Sequence, residues 1–157
     1  INENSCNKLS QEKRNLIRKK YIGFVYQNFF LLESFSALEN IIIPQLINGC
    51  KFNKAKDRAI NLLKDLDLSK RLHNRPKELS GGEKQRVAIL RAIANKPKII
   101  LADEPTGNLD KKNSENVMKI INEMVDHYKI SFLIATHNLA ITKNFDKVIK
   151  LSNGKII

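Results

Sequence analysis

Leu79-Ser80-Gly81-Gly82-Glu83-Lys84-Gln85, followed further on by Ile99-Ile100-Leu101-Ala102-Asp103-Glu104, decides how this 157-residue chain is read. Ser80 and Glu83 have the spacing of a capping box, so a helix is expected to open there. Its unpaired N–H groups and positive dipole end favour an anion, and Gly81 and Gly82 leave the backbone unshielded toward it. Two successive glycines inside a helix cost roughly 1 kcal/mol each relative to Ala. A ligand approaching the backbone therefore explains them better than an ordinary cap does. Downstream, four apolar residues read as a buried parallel strand that aims Asp103 and Glu104 out of its end. Neighbouring strand residues point to opposite faces, so the two carboxylates take different roles. One suits a divalent cation, and the other can orient or deprotonate a water. A solvated acidic turn before Pro105 would not need that apolar run in front of it.

Outward from this pair of motifs, the chain alternates strand and helix from residue 97 onward. Residues 81–94 form a helix apolar over most of its girth, ended by Pro97. Asp110 can cap the next helix, whose Val117, Ile120, Ile121, Met124 and Val125 make one apolar stripe. Residues 130–135 read as a second buried strand, a short helix follows Asn138, and residues 147–151 read as a further strand. Asn153-Gly154 is a hairpin turn into residues 155–157. Such alternation implies an α/β layer with parallel strands.

Toward the N-terminus, residues 11–20 have helical potential and residues 21–26 are β-rich, ending at Gln27. Ser36 and Glu39 form another capping box, with Pro44 expected to kink or shorten that helix. Asn53 can cap a helix carrying Ala59, Leu62, Leu63 and Leu66 at helical spacing. Residues 28–78 thus read as a helical insert between strand-bearing regions. In parallel α/β sheets ligands gather beyond the carboxyl ends of strands. Gln27, Asp103, Glu104 and His137 all fall there, from three separate strands, and His137 could donate to a phosphate oxygen. His73 and His127 read as structural or surface residues.

Composition bounds the alternatives. Apolar residues at 42% and charged residues at 28% are the balance of a folded domain, which argues against global disorder. The apolar runs are far shorter than the roughly 20 residues that span a bilayer, and no apolar leader is visible. Cys6 and Cys50 stand in unlike contexts, which suggests a reducing compartment. The excess of 28 basic over 16 acidic residues gives +12 and would suit nucleic acid, polyphosphate or an anionic membrane surface. Its densest cluster, Lys13, Arg14, Arg18, Lys19 and Lys20, lacks the interleaved aromatics of a nucleic-acid platform, so no nucleic-acid partner is expected.

With these residues in view, the chain resembles the nucleotide-binding subunits of ABC transporters from about residue 20 to 151. Residues 79–85 are similar to the family signature, with Glu83 where Gln is commonest; residues 99–104 to the Walker B segment; Gln27 to the Q-loop; residues 107–110 to the D-loop; and His137 to the switch histidine. Phe24-Val25-Tyr26-Gln27, Ser36-Ala37-Leu38-Glu39-Asn40 and Ala102-Asp103-Glu104-Pro105-Thr106-Gly107-Asn108-Leu109-Asp110 most resemble the branch of lipoprotein-releasing, macrolide-exporter and cell-division subunits. The first of these is the nearest in overall wording.

The resemblance implies an α/β fold, an incomplete P-loop NTPase (RecA-like) core with a helical subdomain. Residues 28–96 would be the helical subdomain with the signature, and residues 97–157 the core strands and helices. It implies ATP and Mg²⁺ as cofactors, with Glu104 as base, Asp103 and Gln27 at the metal, and Gln27 and His137 sensing the γ-phosphate and water. Ser80, Gly81, Gly82, Glu83 and Asp110 would meet nucleotide across a homodimer. Integral membrane subunits would be the partners, at the cytoplasmic face of the inner membrane.

One departure is large: no Gly-x-x-x-x-Gly-Lys-Ser/Thr cradle occurs among the six glycines. With Ile1 in place of Met, the chain is expected to be the C-terminal two-thirds of such a subunit. A truncated, non-catalytic interaction module is the competing expectation. A chromosome-maintenance ATPase would require long heptad segments, which are absent.

Overall fold

The computed structural model describes residues 9–157, so Cys6 and the N-terminal Ile1 lie outside the described residues. Ser10 opens helix α1 (Gln11–Tyr21) by accepting the Lys13 N–H, and Arg18, Lys19 and Lys20 sit at its negative dipole end. This helix buries no side chain, so its basic cluster is solvated. Strand β1 (Ile22–Tyr26) follows without a break, one residue later than the β-rich run begins.

Strands β1, β2 (Ile99–Asp103) and β3 (Ser131–Ala135) form one parallel sheet in that order. Its register aligns Tyr26 with Asp103 and Asp103 with Ala135. All three carboxyl ends are therefore level, and the loops that leave them start side by side. The helix carrying the signature, α4 (Gly81–Ile93), lies close against β1. A Cβ on Gly23 would stand 2.5 Å from the Ala92 carbonyl oxygen, so only glycine permits this approach.

Helix α2 (Ala37–Ile47) begins with the expected Ser36–Glu39 capping box. It runs on past Pro44 to Ile47, with Ile41, Ile42 and Gln45 buried. Gln45 Nε2 donates to the carbonyls of Ile41 and Ala55, which ties α2 to α3 (Phe52–Asp65). The expected cap Asn53 lies inside α3. Lys51 is the N-cap residue, because the Ala55 N–H closes the first turn on its carbonyl. Helix α5 (Lys111–Tyr128) starts at Asp110 as expected and buries Val117, Met118, Ile121 and Met124. The core joins these helices through Ile41, Leu62, Leu63, Ile89, Leu90 and Ile93 to Val25 and Ile100 of the sheet.

Three expectations near the C-terminus are corrected. β3 is not a buried strand: its residues alternate between exposed and half-buried, and Leu133 is 58% exposed. Only β2 pairs with it among the described residues, so its outer edge is open. Residues 147–150 form no strand: the Lys150 carbonyl accepts from the Ile157 N–H, and among the described residues no strand pairs with 147–149 to satisfy their backbone. Only β4 (Leu151–Ser152) and β5 (Lys155–Ile156) pair, antiparallel, around the expected Asn153-Gly154 turn. The short helix after Asn138 is a 3-10 stretch, Leu139–Asn144, begun by the Asn138 side chain accepting from Ala140. Of the two cysteines, Cys50 is free.

Candidate functional site

At the carboxyl edge of the sheet the chain reverses direction at Glu104, whose φ of 43° lies in the left-handed region. Its N–H donates to the Ala135 carbonyl and its carbonyl accepts from Gly107, so β3 and the following turn both hold this backbone. The carboxylate is equally constrained. Thr136 Oγ1 donates to Oε2 at 2.9 Å, while the His137 N–H and Nδ1 both lie 2.6 Å from Oε1. Burial works to raise the pKa of Glu104, but the hydrogen bonds from Thr136 and His137 outweigh it and hold the group below the usual carboxylate range. Glu104 is thus ionised at neutral pH, with its orientation fixed and Oε2 still able to accept a proton or a water. The His137 ring is 83% exposed against 17% for the Glu104 side chain, so Nε2 projects outward. Asp103, one residue earlier in β2, is exposed.

Gln27, directly after β1, is gripped from the opposite loop. Its Nε2 donates to Asn108 Oδ1 at 3.2 Å, and Asn108 Nδ2 donates to the Gln27 carbonyl at 3.0 Å and to Asn28 Oδ1 at 2.9 Å. Gln27 therefore sits beside the turn that carries Glu104. A cleft of about 900 Å³ opens between that turn, α5 and the 3-10 stretch, with Glu104, Gly107 and His137 in its wall.

The signature residues form a second cluster. Ser80 Oγ accepts the Glu83 N–H at 3.3 Å, and Glu83 Oε2 accepts the Ser80 N–H at 2.8 Å. Glu83 Oε1 takes Arg71 Nε at 2.8 Å. Burial raises the Glu83 pKa, yet the Ser80 and Arg71 bonds prevail and hold it low. Its side chain is thus engaged within the protein, and the exposed residues of the motif are Ser80 and Gly81.

Gly82 is buried, and a Cβ there would stand 2.7 Å from Asn113 Oδ1. Internal packing accounts for this second glycine, whereas a Cβ on Gly81 would meet only Leu109 Cδ2 at an ordinary 3.4 Å. Asn113 also donates to both carboxylate oxygens of Asp110, through its N–H and its side-chain amide, which hold the Asp110 pKa down. The structure thereby brings Asp110 beside the signature.

Of the residues expected from sequence, Gln27, Glu104 and His137 meet at one sheet edge, with Asp103 at the end of the same sheet. Ser80, Gly81, Gly82, Glu83 and Asp110 meet around the α4 N-terminus. Thr136, Asn108 and Asn113 join the two clusters unforeseen. Their signals were adjacency to His137 for Thr136, membership of the 107–110 turn for Asn108, and, for Asn113, its place three residues after the Asp110 cap. Among the described residues no group of three or more His, Cys, Asp or Glu could hold a metal by itself.

A parallel α/β sheet with carboxylates, an amide and an imidazole at its carboxyl edge has the layout of an α/β ligand-binding enzyme site. Residues 1–107 match the ABC transporter family, and the chain belongs to that family. It is 48% identical over 153 residues to the lipoprotein-releasing system ATP-binding protein LolD 1 of Rhodospirillum rubrum, covering 98% of this chain and 68% of that protein. LolD of Hyphomonas neptunium is 47% identical over 152 residues, covering 97% and 67%. A dimeric post-hydrolysis structure of the ATP-binding cassette MJ0796, bound to ADP and Pi, superposes with a TM-score of 0.86 at 34% identity. That match covers 99% of this chain and 69% of MJ0796. The fold is accordingly the α/β fold of ABC ATPases.

Proposed function

We propose that this chain is the ATP-hydrolysing part of an ABC transporter subunit that powers lipoprotein release. The observation that carries the hydrolytic role is the Glu104 carboxylate, ionised and fixed at the sheet edge by Thr136 and His137. Glu104 orients the attacking water and takes its proton at Oε2. Gln27 and His137 report on the γ-phosphate and that water. With Nδ1 turned to Glu104, Nε2 is the His137 nitrogen available to a phosphate oxygen.

Asp103 and the Gln27 side-chain oxygen fit Mg²⁺, which needs only one or two protein ligands when phosphates and waters complete its octahedron. Bound there, the cation would neutralise phosphate charge. The residues present fit that demand, since Asp103 is exposed beside the loop that carries Gln27.

Two subunits would pair head-to-tail. Ser80 and the Gly81 backbone of one would face the nucleotide of the other, with Gly82 packed beneath them, Glu83 keeping that backbone in place and Asp110 at the shared boundary. Residues 28–96 would act as the helical unit and 97–157 as the core. Membrane subunits would dock on an apolar groove of about 490 Å³ lined by Phe35, Ile42, Leu46 and Phe52. No helix among the described residues is long and apolar enough to cross a membrane. The subunit would sit peripherally at the cytoplasmic face of the inner membrane, held by its partners. The lipoprotein cargo is inferred from the LolD relatives.

Glu104→Gln in the assembled transporter tests the assignment. ATP binding should persist while hydrolysis falls by two orders of magnitude or more, roughly the scale of losing a positioned base. Near-normal turnover would refute the role of Glu104.

A further inference from the structure

We propose that Arg91 is a positioning residue of the ATPase site, holding Gln27 in place through the backbone of Phe29 and Phe30. The inference rests on the reading of Gln27 given above. Phe29 and Phe30 have φ values of 57° and 46°, two successive left-handed residues of which neither is glycine nor asparagine. Such backbone persists only where its surroundings over-determine it.

Arg91 supplies that determination. Its Nη2 donates to the Phe29 carbonyl at 2.8 Å and its Nη1 to the Phe30 carbonyl at 2.5 Å. The planar guanidinium presents two donors in one fork, a match for two adjacent carbonyls that a lysine ammonium cannot reproduce. No carboxylate is bonded to Arg91 among the described residues, and neither partner belongs to its own helix. An ordinary surface ion pair or a helix C-cap therefore does not account for it.

Gln27 sits inside the turn that Arg91 closes. The Phe29 N–H donates to the Tyr26 carbonyl at 3.2 Å, and the Phe30 ring meets the Tyr26 ring edge-on at 5.3 Å. From the other side Asn108 holds the Gln27 carbonyl and side chain. Gln27 is thus clamped between α4 and the turn after Glu104. Ser80 caps the same helix eleven residues before Arg91, about 16 Å along its axis at 1.5 Å per residue. A shift of the signature end of α4 is transmitted by this rigid helix to the Phe29–Phe30 backbone and so to Gln27.

Steady-state ATPase kinetics of the assembled transporter test this with Arg91→Ala, Arg91→Lys, Gln27→Ala and the double variant Arg91→Ala/Gln27→Ala. Arg91→Ala should lower kcat about tenfold with KM for ATP changed less than about twofold, the pattern of a mispositioned group. Arg91→Lys, which keeps the charge and spares folding, should lower kcat about threefold. Because Arg91 acts through Gln27, the double variant should be no slower than Gln27→Ala alone. Phe30→Asn, which tolerates the left-handed region, should restore part of the Arg91→Ala loss. Arg91→Ala or Arg91→Lys with wild-type kcat beside a slow Gln27→Ala overturns the role of Arg91 and leaves the Gln27 reading standing. Multiplicative losses in the double variant, or no rescue by Phe30→Asn, also overturn it. Wild-type turnover in Gln27→Ala overturns the Gln27 reading and this inference with it.

Discussion

Asp103 and Glu104 are adjacent and chemically alike, yet their surroundings separate them. Asp103 ends β2 in the open, whereas Glu104 turns on a left-handed φ into the reach of Thr136 and His137. Removing the hydroxyl by Thr136→Val should raise the Glu104 pKa. The acid limb of the kcat/KM profile should then move to higher pH, measured across the acidic range. The same bond has a stability sign. A carboxyl whose pKa is lowered on folding stabilises the protein above its unfolded value, and that contribution is lost as pH falls through the folded value. Thermal melts from neutral to acidic pH should therefore fall less steeply in Thr136→Val than in the wild type. An unchanged acid limb would show that Thr136 does not set this carboxylate.

Helix α4 is the element where local and long-range demands coincide. Its capping box was legible in Ser80 and Glu83 because a cap is decided within one turn. The two glycines looked alike in sequence, but the fold separates their reasons. Gly82→Ala must move the Asn113 side-chain amide away from Asp110, a loss of about 1 kcal/mol that offsets alanine's gain in helix propensity, so its Tm should lie below that of Gly81→Ala. Gly81→Ala meets only an ordinary contact and should leave stability unchanged or raise it by up to about 1 kcal/mol, because Ala is the better helix former. Any loss of ATPase in Gly81→Ala then reports approach of a ligand and not packing. Equal destabilisation by the two substitutions would contradict this division.

Across the whole molecule, one core joins the helical segment to the sheet through α4. Ile89 is fully buried in that core, and Ile89→Ala should cost about 2–5 kcal/mol in chemical denaturation, with a single cooperative transition retained. A loss below about 1 kcal/mol would place Ile89 outside the shared core. The chain carries the carboxylate, amide and signature parts of a nucleotide site but no Gly-x-x-x-x-Gly-Lys-Ser/Thr cradle. These 157 residues alone should therefore bind ATP poorly in isothermal titration, and tight binding would refute that expectation.

By itself, the sequence determined what rests on short-range physics. Capping boxes at Ser36 and Ser80, the Asp110 cap, the apolar run before Asp103 and the Asn153-Gly154 turn each depend on residues a few positions apart. Only the tertiary structure decided the contacts between distant positions. Gln27 meets Asn108 across 81 residues, Arg91 reaches Phe29 across 62, and Asn113 fills the space that glycine leaves at position 82. The fate of β3 and of residues 147–150 belongs to the same kind. Apolar patterning states that a segment can be a strand, but a strand forms only where another strand pairs with its backbone, and local sequence does not carry that neighbour.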